Sequence, residues 1–174
     1  MQTKNDTKNS TVWLCTAAVL MAMNIAVSSF GIPVPGGHLY LCDIVICTAS
    51  ILLDPFAAFM VSGVGSFLGD LFFYPAPMFV SLVTHGLQAV VISLCSHHLF
   101  KKHPVLASGI GVALGAVIMV TGYTLGKIYI YSTFEYAITN MPYEIAQAAL
   151  GAVGGMFLCW KCGIVKLYQN KQYL

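Results

Sequence analysis

The sequence predicts an all-α integral membrane protein, a compact bundle of six transmembrane helices with its N- and C-termini in the cytoplasm. Three observations carry this expectation. Apolar residues make up 58% of the chain and charged residues only 8%, where a soluble domain carries roughly 45–50% and about 25%. Apolar runs of about the ~20 residues needed to cross a ~30 Å hydrocarbon core recur along it, separated by short polar or proline-bearing breaks. The lysines fall at alternate breaks, so one orientation gathers nearly all of them on one side.

Residues 1–10 are polar and read as a cytoplasmic tail, residues 11–168 as the membrane domain, and residues 169–174 as a second tail. The first apolar run, 11–30, is longer than the about 7–15 residues of a signal-peptide core, so it is expected to stay as a span. Ala18, Ala22 and Ala26 recur every fourth residue in it and place three small side chains on one face, a seam that another helix can approach closely. A break through Pro33-Val34-Pro35-Gly36-Gly37 follows. The second span starts near His38, carries Asp43 and stops at Asp54-Pro55, where Asp caps and Pro fills the first turn of the next helix. The third runs from Pro55 to about Phe73, with Gly65 and Gly69 spaced for close contact and Asp70 near its end. Pro75 and Pro77 break the chain, and the fourth span, about 78–100, holds His85 and Gln88. The fifth, about 104–128, is glycine-rich and ends with Tyr123 and Lys127. A looser stretch at 129–141 carries tyrosines suited to a membrane interface, and Pro142 is expected to open the sixth span, with Glu144 and Gln147 in its first turns.

With the N-terminus inside, Lys4, Lys8, Lys101, Lys102, Lys161, Lys166 and Lys171 are cytoplasmic and only Lys127 is outside, as the positive-inside rule favours. Counting depth at ~1.5 Å per helical residue then puts Asp43, Asp70, His85, Lys127, Glu144 and Gln147 within roughly 10 Å of the outer face. An ionisable group in a membrane segment is costly unless it meets a partner or a wet cavity. Such groups reaching one depth from several helices predict a shallow outward-facing site for a small polar ligand, lined by carboxylates, an imidazole, an amide and tyrosines. A continuous ion path would need polar groups through the full depth.

Other motifs carry less. Gly122 to Lys127 resembles a phosphate loop but has three residues between its glycines and no Ser or Thr after the lysine, so no ATPase is expected on this chain. Cys159-Trp160-Lys161-Cys162 is a lone CxxC, and His97, His98 and His103 lack a thiolate or carboxylate set, so no metal site is expected. The six cysteines lie mostly in apolar runs and predict no disulfide framework. An intramembrane enzyme using Asp43, Asp70 and His85 is the rival reading, and it requires all three within reach of one reacting centre.

The alanine repeat, the Pro33 to Leu39 break followed by Asp43, Gly65-Ser66-Phe67-Leu68-Gly69-Asp70-Leu71, Thr84-His85-Gly86-Leu87-Gln88 and Met141-Pro142-Tyr143-Glu144-Ile145-Ala146-Gln147 together resemble the substrate-binding S components of energy-coupling factor (ECF) transporters, the vitamin-uptake systems of prokaryotes. The resemblance covers roughly residues 11–165 and rests on the order of the motifs, the span count and the length. It implies a multi-pass protein of a prokaryotic plasma membrane that captures a vitamin from outside. It implies as partners a T component, docked on Ala18, Ala22 and Ala26, and two ATPases that bind the ATP, this chain needing no cofactor. The expected ligand residues are His38, Tyr40, Asp43, Asp70, His85, Tyr123, Lys127, Glu144 and Gln147. Their mixed charge suits a neutral or cationic heteroaromatic such as a pyridoxine-like or hydroxymethylpyrimidine-like compound. A polyanion is disfavoured by the absence of arginine.

Overall fold

The computed structural model describes residues 3–34, 37–100 and 102–172. Pro35, Gly36 and Lys101, which the sequence reading used, lie outside the described residues, as do the side chains of Lys4, Lys8 and Lys171. The elements are α1 (Thr3–Ser28), a hairpin of β1 (Gly31–Val34) and β2 (Gly37–Tyr40), α2 (Cys42–Leu52), α3 (Pro55–Phe73), α4 (Met78–His98), α5 (Pro104–Tyr131), α6 (Phe134–Lys161) and α7 (Ile164–Gln172). Large apolar side chains such as Phe72, Val117 and Val153 are exposed, at 67%, 60% and 71%. On a water-facing surface these would be a liability, whereas lipid accepts them.

Among the described residues, four helices are long and apolar enough to cross a membrane, namely α1 from Thr11 onward, α3, α4 and α5, and a fifth crossing is available if α6 and α7, bent by 51°, count as one. The sequence expects six. The shortfall is α2, which has 11 residues and at ~1.5 Å per residue covers only about half of a ~30 Å core. Residues 37–40 are drawn into the hairpin and Leu53 is extended, so neither end of α2 lengthens. Short as it is, α2 is the axis of the fold, since every residue in it except Ile44 is buried.

The helix ends follow from capping. Asp54 accepts from the backbone N–H of Phe56 and Ala57 (3.1 and 3.3 Å) while Pro55 occupies the first turn, and its other oxygen accepts Trp13 Nε1 at 2.5 Å, tying α1 to this corner. Thr133 caps α6 by accepting from Tyr136 N–H. The helix expected as the sixth span therefore starts at Phe134 rather than Pro142, and Pro142 sits inside it at an exposed position. Likewise α1 is already helical from Thr3, within the tail that the sequence reads as separate.

Glycines set the helix spacing. A Cβ at Gly151 would fall 2.5 Å from Asp43 Cβ, and one at Gly155 2.5 Å from Cys47 Cβ, so α2 and α6 run nearly backbone to backbone. Gly115, Gly122 and Gly126 do the same for α5 against Ile92, Thr84 and Val80 of α4. On α3, Gly65 and Gly69 admit Asn24 and Ser28 of α1. Asn24 is fully buried there, and its Nδ2 donates to Val61 O (3.0 Å) and Ser66 Oγ (3.2 Å) beside the π-helical turn Met60–Val64. A π turn leaves a backbone carbonyl without its usual helical donor, and Asn24 supplies one. The opposite face of α1 is free: Ala18, Ala22 and Ala26 are all exposed.

Candidate functional site

The hairpin arches over one end of the bundle. β1 and β2 pair antiparallel from Gly31 opposite Tyr40 to Val34 opposite Gly37, and the Tyr40 N–H donates to Gln147 Oε1 of α6 at 2.9 Å, which fastens the second strand to the helices. Pro33 is tolerated because a two-stranded ribbon leaves one side of each strand unpaired.

Beneath the hairpin lies a cavity whose enclosed part is about 90 Å³ and which opens through its mouth to solvent. Of the expected ligand residues, His38, Tyr40, Asp70, His85, Tyr123, Lys127, Glu144 and Gln147 line it. Asp43 does not. It is 1% exposed, one layer below the floor, where Oδ1 accepts Gln88 Nε2 (3.3 Å) and Oδ2 accepts Gln147 Nε2 (2.6 Å). The close passage of α2 under Gly151 puts the carboxylate there. The wall also includes Ser28, Ser66, Tyr74, Tyr131, Tyr136 and Asn140, none of which the sequence reading assigned to the site. Asn140 had a signal, since it precedes Glu144 by one helical turn and so shares its face. Tyr131 and Tyr136 read as interface rings, because periodicity does not tell a tyrosine facing a pocket from one facing headgroups.

One ion pair lies in the cavity wall, and the other carboxylates are met by neutral donors. Lys127 Nζ donates to Glu144 Oε1, Thr124 Oγ1 donates to Glu144 Oε2 at 3.2 Å, and Lys127 also sits 5.7 Å from the Tyr136 ring centroid. The carboxylate of Asp70 accepts from Ser81 Oγ, which also lies 2.5 Å from the hydroxyl of Tyr123. His85 Nδ1 is 2.8 Å from Gln88 Oε1, and its ring stacks at a tilt on Tyr123, centroids 5.3 Å apart.

Cys42, Asp43 and His85 hold donor atoms within 4.8 Å of one another. Both Asp43 oxygens and His85 Nδ1 are already engaged by glutamines. An enzymatic reading needs Asp43, Asp70 and His85 at one reacting centre, and the burial of Asp43 beneath the floor removes one of the three.

Known proteins place this arrangement. The chain is 29% identical over 136 residues to an uncharacterised protein encoded in the gap 3' region of Pyrococcus woesei, covering 77% of this chain and 89% of that one. The family model described as ECF-type riboflavin transporter, S component, matches residues 8–163. The chain belongs to this S-component family and is thereby a membrane substrate-binding subunit of an ECF transporter rather than an enzyme.

Proposed function

We propose that this protein captures riboflavin at the outer face of a prokaryotic plasma membrane and delivers it inward with a T component and two ATPases, which bind the ATP. The observation that carries the reading is the cavity under the hairpin, lined by tyrosines and by a Lys127–Glu144 ion pair closed on itself, in a chain of this family. With Lys127 already held by Glu144, the site offers an anionic ligand no unclaimed lysine, which disfavours an anion. The aromatic lining from Tyr40, Tyr74, Tyr123, Tyr131 and Tyr136 suits a fused ring more extended than the single rings of pyridoxine or hydroxymethylpyrimidine. His38, Tyr40, Asp70, His85, Tyr123, Lys127, Glu144 and Gln147 contact the vitamin, and Asp43 holds Gln147 and Gln88 in place from below. In this reading the chain crosses the bilayer six times, α2 and the hairpin together making one crossing, with both termini cytoplasmic and the cavity outside. The T component lies along Ala18, Ala22 and Ala26, which face away from the bundle.

The test is titration of the purified protein with riboflavin, followed by quenching of flavin fluorescence, with pyridoxine and hydroxymethylpyrimidine as competitors. Saturable quenching at one site per chain that neither competitor displaces is expected. Displacement by a single-ring vitamin would replace the ligand, and absence of binding by all three would refute vitamin capture of this class.

A further inference from the structure

The hydrogen bonds beneath the cavity form one directional chain. Tyr40 N–H can only donate, so Gln147 meets it with Oε1 and turns Nε2 to Asp43 Oδ2. Gln88 meets Asp43 Oδ1 with Nε2, as an ionised carboxylate requires, and turns Oε1 to His85. An amide oxygen can only accept, so the His85 nitrogen facing it, Nδ1, must carry the proton. In a neutral imidazole the other nitrogen is then a bare acceptor. Nε2 has no protein partner among the described residues and is not one of the sealed, unpartnered atoms, while the ring lines the cavity. The tautomer thus follows from the network rather than from hydrogen positions.

We infer that His85 is held as the Nδ1–H tautomer by the Tyr40–Gln147–Asp43–Gln88 chain and presents Nε2 to the ligand solely as a hydrogen-bond acceptor, so that the vitamin must turn an N–H or O–H toward it. The inference rests on the proposed site and adds a selection rule to it. A flavin satisfies the rule with its ring imide N–H or its side-chain hydroxyls. A ligand offering only acceptors on that edge would leave two acceptors facing each other, a mismatch that is strongly rejected when buried. Gln88 and Asp43 act through His85 as positioning residues.

Two measurements decide this. Nitrogen-15 NMR of the full-length protein labelled at histidine, in detergent and without ligand, should show His85 as neutral Nδ1–H, its signal identified by its loss in His85→Gln. In Asp43→Asn, whose amide can face Gln88 either way, the two tautomers should mix. Riboflavin affinity should fall about tenfold or more in His85→Phe, which keeps a ring without the acceptor, and recover most of that in His85→Gln, whose amide oxygen reaches the Nε2 position. An Nε2–H or doubly protonated His85 in the parent, or parent-like affinity in His85→Phe, would overturn the inference. If the parent binds no riboflavin, the proposed ligand fails, while the tautomer result still decides the chain.

Discussion

Replacing Lys127 with Met tests whether the cavity's ion pair is as isolated as its geometry implies. Both side chains are 7% exposed, and without the ammonium Glu144 keeps, among the described residues, Thr124 at 3.2 Å. Breaking a buried pair from one side costs about 3–5 kcal/mol. The carboxylate has one escape, which is to take up a proton. For a group with an ordinary value near 4.3 this costs about 3.7 kcal/mol at pH 7, at about 1.36 kcal/mol per pH unit, and so caps the loss. At about 2–4 °C per kcal/mol for a chain of this length, Lys127→Met should lower the unfolding midpoint by roughly 7–15 °C. Adding Glu144→Gln removes the stranded charge and should restore most of that. The sign with pH is also fixed. In the single variant the folded state binds a proton that the unfolded state lacks at pH 7, so its deficit should shrink as pH falls toward about 4. Thermal unfolding of the parent, both single variants and the double variant in one detergent, at pH 7 and pH 5, reads all of this. Losses under about 1 kcal/mol for each single change, or a double variant as unstable as their sum, would show that Lys127 and Glu144 are solvated separately and do not act as a buried pair.

Three further outcomes follow from the same structure. Gln147→Ala removes the link between hairpin, α6 and Asp43, and should weaken riboflavin binding by about 1–3 kcal/mol in the quenching titration; unchanged affinity would separate the hairpin from the site. Ala22→Leu fills an exposed seam, so the purified variant should bind as the parent does while cells dependent on it for uptake fail to grow, and normal growth would move the T-component interface elsewhere. Cys162 is exposed at the end of α6, whereas Cys159 beside it is fully buried; an impermeant thiol reagent should therefore label Cys162 in inverted vesicles and not in intact cells, and the reverse would turn the proposed topology over.

How much of this was legible beforehand depended on whether a residue's role was set by depth or by partner. Lys127, Glu144, Asp70 and His85 could be located because membrane segments turn sequence position into depth, and equal depth on neighbouring helices means proximity. Asp43 shares that depth, yet it lies under the floor, because Gly151 lets α2 pass beneath α6, and helix spacing is a property of two surfaces that neither segment states alone. Gln88 was visible three residues after His85 on the same face, but its importance comes from Asp43 on another helix. The Pro33 to Gly37 segment announced a break, and the hairpin built from it was not legible, since four-residue strands flanked by glycine and proline lack the alternation that marks strands. Pro142 misled for a related reason. Proline ends helices on average, but on an exposed face with Thr133 capping upstream the helix forms through it.

The directional chain below the cavity also bears on how this protein's descendants can change. Each amide in it faces a donor on one side and an acceptor on the other, so a lone replacement at position 43, 88 or 147 strands a buried polar atom, at about 1–3 kcal/mol. Most lineages carrying a single such replacement would be lost before a second could compensate it. Positions 43, 88 and 147 are therefore expected to be inherited as a block, whereas wall positions such as 131, 136 and 140 drift one at a time. Ligand preference would then evolve at two tempos, by small adjustments along the walls and by rare, simultaneous exchange of the floor.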